Sequence, residues 1–219
     1  MSWKAFAAAA LLCAAVVPGS AGIVTSHIAT DAEMLAQIND LSFVAEGRIG
    51  DRGHATYEVD IDTGAVQAQY KWRNGIETDF SIVYNSLTDL VTFTVGSVAL
   101  YYPSPDAFTD FYVRTRAVDA GSSMVVDDLA LNGVALVDAS VASRPGGGLD
   151  ILWVRSFADP TDGGFTLTGH STMSWTHAVP TQSHLAYQVM FDNGSTIPEP
   201  ASIILLIIGL AAMSAMRRK

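Results

Sequence analysis

The sequence predicts an all-β fold, an antiparallel two-sheet sandwich or jelly roll. One short N-terminal helix and a C-terminal transmembrane helix complete it. Three observations carry this: apolar and polar residues alternate with period two through the body, turn signals recur at short intervals, and charge-free apolar runs are confined to the two ends. The body, residues 24–192, reads as one domain between a leader and a tail.

The leader is Met1–Ala21. Lys4 supplies its charge, Ala5–Val17 is an apolar run of 13 residues, and Pro18-Gly19 ends it. Gly19-Ser20-Ala21 then places small residues before a cleavage point after Ala21, as in a secretory signal peptide. A retained membrane helix would need ~20 apolar residues. Cys13, the only cysteine, lies inside the leader, and Leu12 before it is too bulky for a lipoprotein processing site. The exported chain therefore has no thiol, which excludes disulfides, thiol catalysis and cysteine-ligated metals.

The helix is expected near the start of the body. Thr30-Asp31-Ala32-Glu33 has capping-box spacing, and Met34, Leu35 and Ile38 share one helical face. Strands follow. In TYEVDID, Tyr57, Val59 and Ile61 alternate with Glu58, Asp60 and Asp62; in AVQAQYKW, Val66, Ala68, Tyr70 and Trp72 alternate with Gln67, Gln69 and Lys71. In VTFTVG, Val91, Phe93 and Val95 alternate with threonines. One apolar and one wet face per strand is the antiparallel pattern. Asp62-Thr63-Gly64, Asn74-Gly75, Asn132-Gly133, Pro145 to Gly148, Asp162-Gly163-Gly164 and Asp192-Asn193-Gly194 are the turn signals, Asn74-Gly75 reading as a hairpin. About ten strands are expected, more than one open sheet comfortably holds.

Four of the 12 cations are Lys4 in the leader and Arg217-Arg218-Lys219 at the far end, while all 22 acidic residues lie between Asp31 and Glu199, so the exported part carries eight cations against 22 acids, a net −14. Such a field repels nucleic acid and anionic lipid, so nucleic-acid binding is excluded.

The body offers no catalytic constellation. There is no Gly-x-Ser-x-Gly elbow. His170, His177 and His184 recur every seven residues, an odd interval that places successive strand residues on opposite faces, so surface and turn histidines are expected rather than a metal site. Glu46, Glu58 and Glu77 lie in or beside strands and are the carboxylates a jelly-roll glycoside hydrolase would draw on. Oxygen donors at Asp60, Asp62, Asp159 and Asp162, with Asp127-Asp128 and Asp192, are candidate Ca2+ ligands, although Asp beside Gly is also ordinary turn chemistry. Tyr70, Trp72, Tyr101, Tyr102, Trp153 and Trp175 are candidate sugar-stacking rings; core packing is the expectation for Tyr70 and Trp72, and Tyr101-Tyr102 is the expected exposed pair.

The tail, 197–219, holds Pro198-Glu199-Pro200, then 16 uncharged residues from Ala201 to Met216, then Arg217-Arg218-Lys219. Its helix would be ~24 Å long, enough to span with snorkelling cations. The basic end would stay cytoplasmic as a stop signal, leaving the body outside the inner membrane. This arrangement resembles the PEP-CTERM sorting signal of Gram-negative bacteria. The resemblance implies that an exosortase recognises Pro198-Glu199-Pro200, removes the helix, and passes the protein to the cell surface or the exopolysaccharide matrix. The two prolines fix φ and disfavour helix there, which suits an extended substrate. The stretches WRNGIETDFSIVYNSLTDLVTFTVG, LDILWVRSF and GFTLTG resemble the choice-of-anchor domains, which implies a surface role; no residue in them is diagnostic of an activity.

The expectation is thus an exported, acidic, non-enzymatic structural or interaction protein, without a cofactor unless Ca2+ binds. A carbohydrate-binding module is the first alternative and a secreted glycan hydrolase the second.

Overall fold

A computed structural model describes residues 22–38, 40–49, 57–62, 65–104, 108, 110–156 and 164–192. The expected leader, the expected sorting motif with the helix and basic end predicted after it, Asp159 and Asp162 lie outside these residues. Among the described residues no helix is long and apolar enough to cross a membrane.

In chain order the elements are β1 (Ile23–Ile28), α1 (Asp31–Gln37), β2 (Leu41–Ile49), β3 (Tyr57–Ile61), β4 (Val66–Gln69), β5 (Glu77–Asn85), β6 (Leu90–Val95), β7 (Val98–Pro103), β8 (Asp110–Ala117), β9 (Ser122–Leu131), β10 (Val134–Ala135), β11 (Ser140–Ser143), β12 (Leu149–Ser156), β13 (Phe165–Trp175) and β14 (Leu185–Asp192). One sheet, here the first, has the order β1-β12-β8-β14-β2-β3-β4; the second has β10-β9-β13-β5-β6-β7, with β11 also along β9. Every pairing is antiparallel. Among the described residues the protein is all-β, with two antiparallel sheets and one short helix. Among the described residues fourteen strands occur, against the ten or so expected, because short ones such as β10 and β11 carry too few residues to show a period.

The two sheets pack face to face through a single large core. Phe43 (β2) and Phe191 (β14) stack at 4.5 Å on the first sheet, and Phe191 meets Phe165 (β13) of the second at 5.3 Å. Phe108, outside any strand, fills the space between, edge-on to Phe165 at 4.9 Å and to Phe191 at 5.0 Å. Each such ring buries roughly 150–250 Å², and edge and offset contacts suit its quadrupole. Toward the other end, Trp72 packs edge-on to Tyr187 at 6.0 Å and donates its indole N–H to the Arg48 carbonyl at 3.2 Å. Both rings lie over Gly47. A Cβ there would sit 2.4 Å from the Tyr187 ring and 2.8 Å from Trp72, so only glycine fits.

The helix forms where its cap predicts. Thr30 Oγ1 accepts the Glu33 N–H at 3.2 Å, and the Glu33 carboxylate accepts the Ala29 N–H, one residue upstream of the usual capping box. Met34 is buried and Ile38 half-buried, against Val44, Tyr112, Ile151 and Met190 on the outer face of the first sheet. Leu35, expected on the same face, is 64% exposed. Seven residues give only two turns, so the stripe that touches the sheet is one residue wide per turn.

Turn chemistry holds where it is local. Asp62 (φ +54°) opens the β3–β4 turn, and Asn132-Gly133 (φ +51° and +78°) is the two-residue β9–β10 hairpin, both residues left-handed as a type I′ turn requires. Asn74-Gly75 is not a hairpin. It carries the chain from β4 in the first sheet to β5 in the second, and the Asn74 side chain pairs with the Trp175 backbone through its N–H and C=O, at 2.9 and 2.7 Å.

Candidate functional site

The expectation of one wet face per strand fails on β2 and β3. Val59 and Ile61 point into the core, yet Glu58 (2% exposed) and Asp60 (1%) on the other face are buried too, as is Glu46 (8%). Register explains the arrangement. Arg48 lies opposite Glu58, Glu46 opposite Asp60, Gln188 opposite both Glu46 and Arg114, so neighbouring strands present alternating partners. Arg48 binds Glu58 in a two-pronged contact, Nε at 3.1 Å and Nη2 at 2.8 Å; Nη2 is 3.2 Å from Asp60 and Nη1 is 3.7 Å from Glu46. Gln188 donates to Glu46 at 3.1 Å and accepts from Arg114 at 3.3 Å. Arg114 then clasps Asp31 of α1 at 2.7 and 2.8 Å. The result is a polar ladder across β8, β14, β2 and β3 that ends on the first turn of the helix.

The electrostatics follow from burial and pairing. Burial pushes the Glu46 carboxyl up, against the opposing pull of its Gln188 hydrogen bond and Arg48. The Arg114 hydrogen bonds hold Asp31 below the usual carboxylate range, overcoming the cost of its partial burial. Burial works against the charge on Arg48, but the Glu58 hydrogen bonds and the fields of Glu46 and Asp60 outweigh it and raise its pKa further.

Two of the three carboxylates considered for glycan hydrolysis, Glu46 and Glu58, thus meet around Arg48, while Glu77 lies on β5 in the other sheet. An acid and a nucleophile need to face a substrate; here both oxygens of Glu58 are engaged by one guanidinium. Of the candidate Ca2+ ligands, Asp60 is part of this ladder and Asp62 sits half-buried at the β3–β4 turn.

A second cluster occupies the outer face of the second sheet. His170 on β13 stands directly between Asp79 on β5 and Asp127 on β9. Its Nε2 is 3.2 Å from Asp79, and its Nδ1 is 3.3 Å from Asp128 and 3.5 Å from Glu77. The Asp127-Asp128 pair lies not in a turn but at a β-bulge. Thr168 pairs with Ala130 and His170 with Asp127, so Gly169 alone faces Asp128 and Leu129. Asp128 takes φ +47°, and two successive aspartates emerge on one face while Val126 and Leu129 stay buried. An open cleft of about 320 Å³ adjoins the cluster, lined by Asp79, Asp128 and His170 with Ser81, Thr94 and Thr168. One donor atom each from Glu77, Asp127 and His170 lie within 4.8 Å of one another, a set that could hold a metal ion.

The three evenly spaced histidines do not converge. His177 is on the exposed segment after β13 beside Thr176, and His184 precedes β14, bonded to Asp119 at 2.9 Å. The surface-and-turn expectation fits those two. His170 differs because strand pairing, not sequence spacing, surrounds it with carboxylates. Asp79 carried no signal of its own, and Asp127-Asp128 carried one in its break of the alternation VVDDL. Among the candidate aromatics Trp72 is buried, Tyr70, Tyr102 and Trp175 pack on the core, and Trp153 stacks on Tyr112 at 5.7 Å beneath Arg155; Tyr101 alone is exposed, at 58%.

No protein-family model matches the sequence, and no curated protein matches it either.

Proposed function

We propose that this chain is an exported, acidic surface protein, a jelly-roll-like sandwich delivered through its C-terminal Pro198-Glu199-Pro200 signal, which acts as a structural or interaction module. The observation that carries the reading is the tripartite end: the motif, the uncharged stretch Ala201–Met216 and the terminal Arg217-Arg218-Lys219, matched by a leader with a cleavage point after Ala21. An exosortase cuts at the motif after the apolar helix has held the chain in the inner membrane, and the body passes to the cell surface or the exopolysaccharide matrix. A non-catalytic role is supported by the engagement of Glu46 and Glu58 with Arg48 and by the placement of Glu77 on the other sheet. Replacing Pro198-Glu199-Pro200 by alanines tests the sorting step. Full-length protein should accumulate in the inner membrane, and unaltered release would refute it.

Carbohydrate binding is the second reading, favoured by exposed Tyr101 on β7, which lies opposite Thr92 on β6 beside an outer face bearing Ser81, Thr94, Thr166 and Thr168. A glycan array of neutral and acidic polysaccharides decides it. Binding lost in Tyr101→Ala supports it, and no binding at all removes it.

A further inference from the structure

The cluster around His170 has more carboxylates than its own protons can satisfy. A neutral imidazole donates one hydrogen bond and an imidazolium two, yet Glu77, Asp79, Asp127 and Asp128 all crowd this one ring. Among the described residues no lysine or arginine pairs with any of the four. Both Nδ1 of His170 and Oδ1 of Asp127 are shut off from solvent and make no hydrogen bond, although Nδ1 lies within ion-pairing distance of two carboxylates. Shielded acceptors left unsatisfied in this way require a reason.

We propose that Glu77, Asp127 and His170 form a binding site for a first-row divalent transition-metal ion such as Zn2+, with Asp79 orienting the imidazole. The division of labour follows from which ring atom faces which group. Asp79 Oδ1 lies 3.2 Å from Nε2, close enough to hold a proton on that nitrogen, which would leave the Nδ1 lone pair directed at the other carboxylates. A carboxylate behind a ligating histidine is the recurrent way to fix its tautomer. Zinc binds imidazole nitrogen and carboxylate oxygen at ~2.0–2.2 Å, so two ligands on one ion stand no more than about 4.3 Å apart. Donor atoms already within 4.8 Å reach that spacing by small side-chain rotations. The imidazole selects the ion. Ca2+ collects six or more oxygens, whereas nitrogen donors suit the transition metals. The bulge at Asp127-Asp128 keeps Asp128 at the rim as a further ligand, and the adjoining cleft leaves the ion's remaining positions open to water or a partner's oxygen.

Calorimetric titration of Zn2+ into the purified full-length chain in nonionic detergent is the test, with Co2+ as a spectroscopic stand-in. The expected result is one saturable equivalent, weakened at least tenfold by His170→Asn and by Asp127→Asn. His177→Asn should leave it unchanged. Asp79→Asn should weaken it ~10–100-fold, as loss of an orienting partner does. Asp79 is 86% exposed, so its substitution does not touch the core, and it decides the matter should the other variants fail to fold. Bound Co2+ should give a visible spectrum that Asp79→Asn perturbs. Absence of saturable binding, affinity indifferent to His170→Asn and Asp79→Asn, or tighter binding of Ca2+ at the same residues would each overturn the proposal.

Discussion

Arg48 is the position at which the polar ladder can be tested most directly. Arg48→Met keeps the length of the side chain and removes its charge. Three carboxylates, Glu58, Asp60 and Glu46, then lose the guanidinium that lies 2.8, 3.2 and 3.7 Å from them. Taking the cation from a buried pair costs about 3–5 kcal/mol, because the remaining charge has been stripped of water without compensation. Arg48 itself keeps 23% of its side chain exposed, which moves the expectation to the lower end, about 3 kcal/mol. For a domain of this size that is a fall in Tm of about 6–12 °C, readable by circular dichroism at pH 7. The deficit should shrink as the pH is lowered and the carboxylates take up protons. Arg48→Met/Glu58→Gln/Asp60→Asn should recover much of the loss, since like charges no longer face one another. A single variant within about 1 °C of wild type, a shift well inside what ~0.5 kcal/mol gives, would show that the ladder contributes no net stability.

Three further outcomes are expected. Because burial raises the folded pKa of Glu46 above its ordinary 4.5, the native state holds that proton to higher pH than the unfolded chain does. The wild type therefore loses stability as pH rises from about 4.5 through the raised pKa; melts of Glu46→Gln from pH 4 to 8 should lack that loss, and a variant less stable relative to wild type at pH 7 than at pH 4 contradicts the sign. Gly47→Ala forces a methyl to 2.4 Å from the buried Tyr187 ring and should cost about 1–3 kcal/mol in urea unfolding, with an altered Trp72 fluorescence; an unchanged midpoint would mean the rings have room to retreat. Thr30→Ala removes the acceptor for the Glu33 N–H and should cost about 1 kcal/mol, seen as faster hydrogen exchange at Met34 and Ile38 with the sheet amides unchanged.

How much of this was legible depends on the distance over which each feature is decided. Local chemistry read correctly. Thr30 caps the helix, Asn132-Gly133, read as a turn, makes one, and Val91, Phe93 and Val95 turn inward on one strand, each because a few neighbouring residues and their φ preferences suffice. Asn74-Gly75 has the same local preference but links different sheets, since a turn's geometry does not say which strand its second arm will pair with. Leu35 stands about 100° round the helix from Met34 and so falls outside the narrow stripe that α1 lays on the sheet.

The sequence by itself determined the class of fold, the position of the helix, the acidity of the body and the tripartite pattern of its C-terminal stretch. Period-two alternation and net charge are properties of the chain before it folds. Tertiary structure alone decided the polar features. Glu58 and Asp60 read as residues of a wet face, and become a buried ladder because β2 sets Arg48 and Glu46 opposite them. His170 read as one of three scattered histidines, and becomes the centre of a carboxylate ring because β5 and β9 bring Asp79 and Asp127 to its two sides. The physical reason is common to both. Alternation fixes which side of a strand a residue takes, but the charge beside it is chosen by register with strands remote in sequence, and register is settled only when the two sheets close on their core.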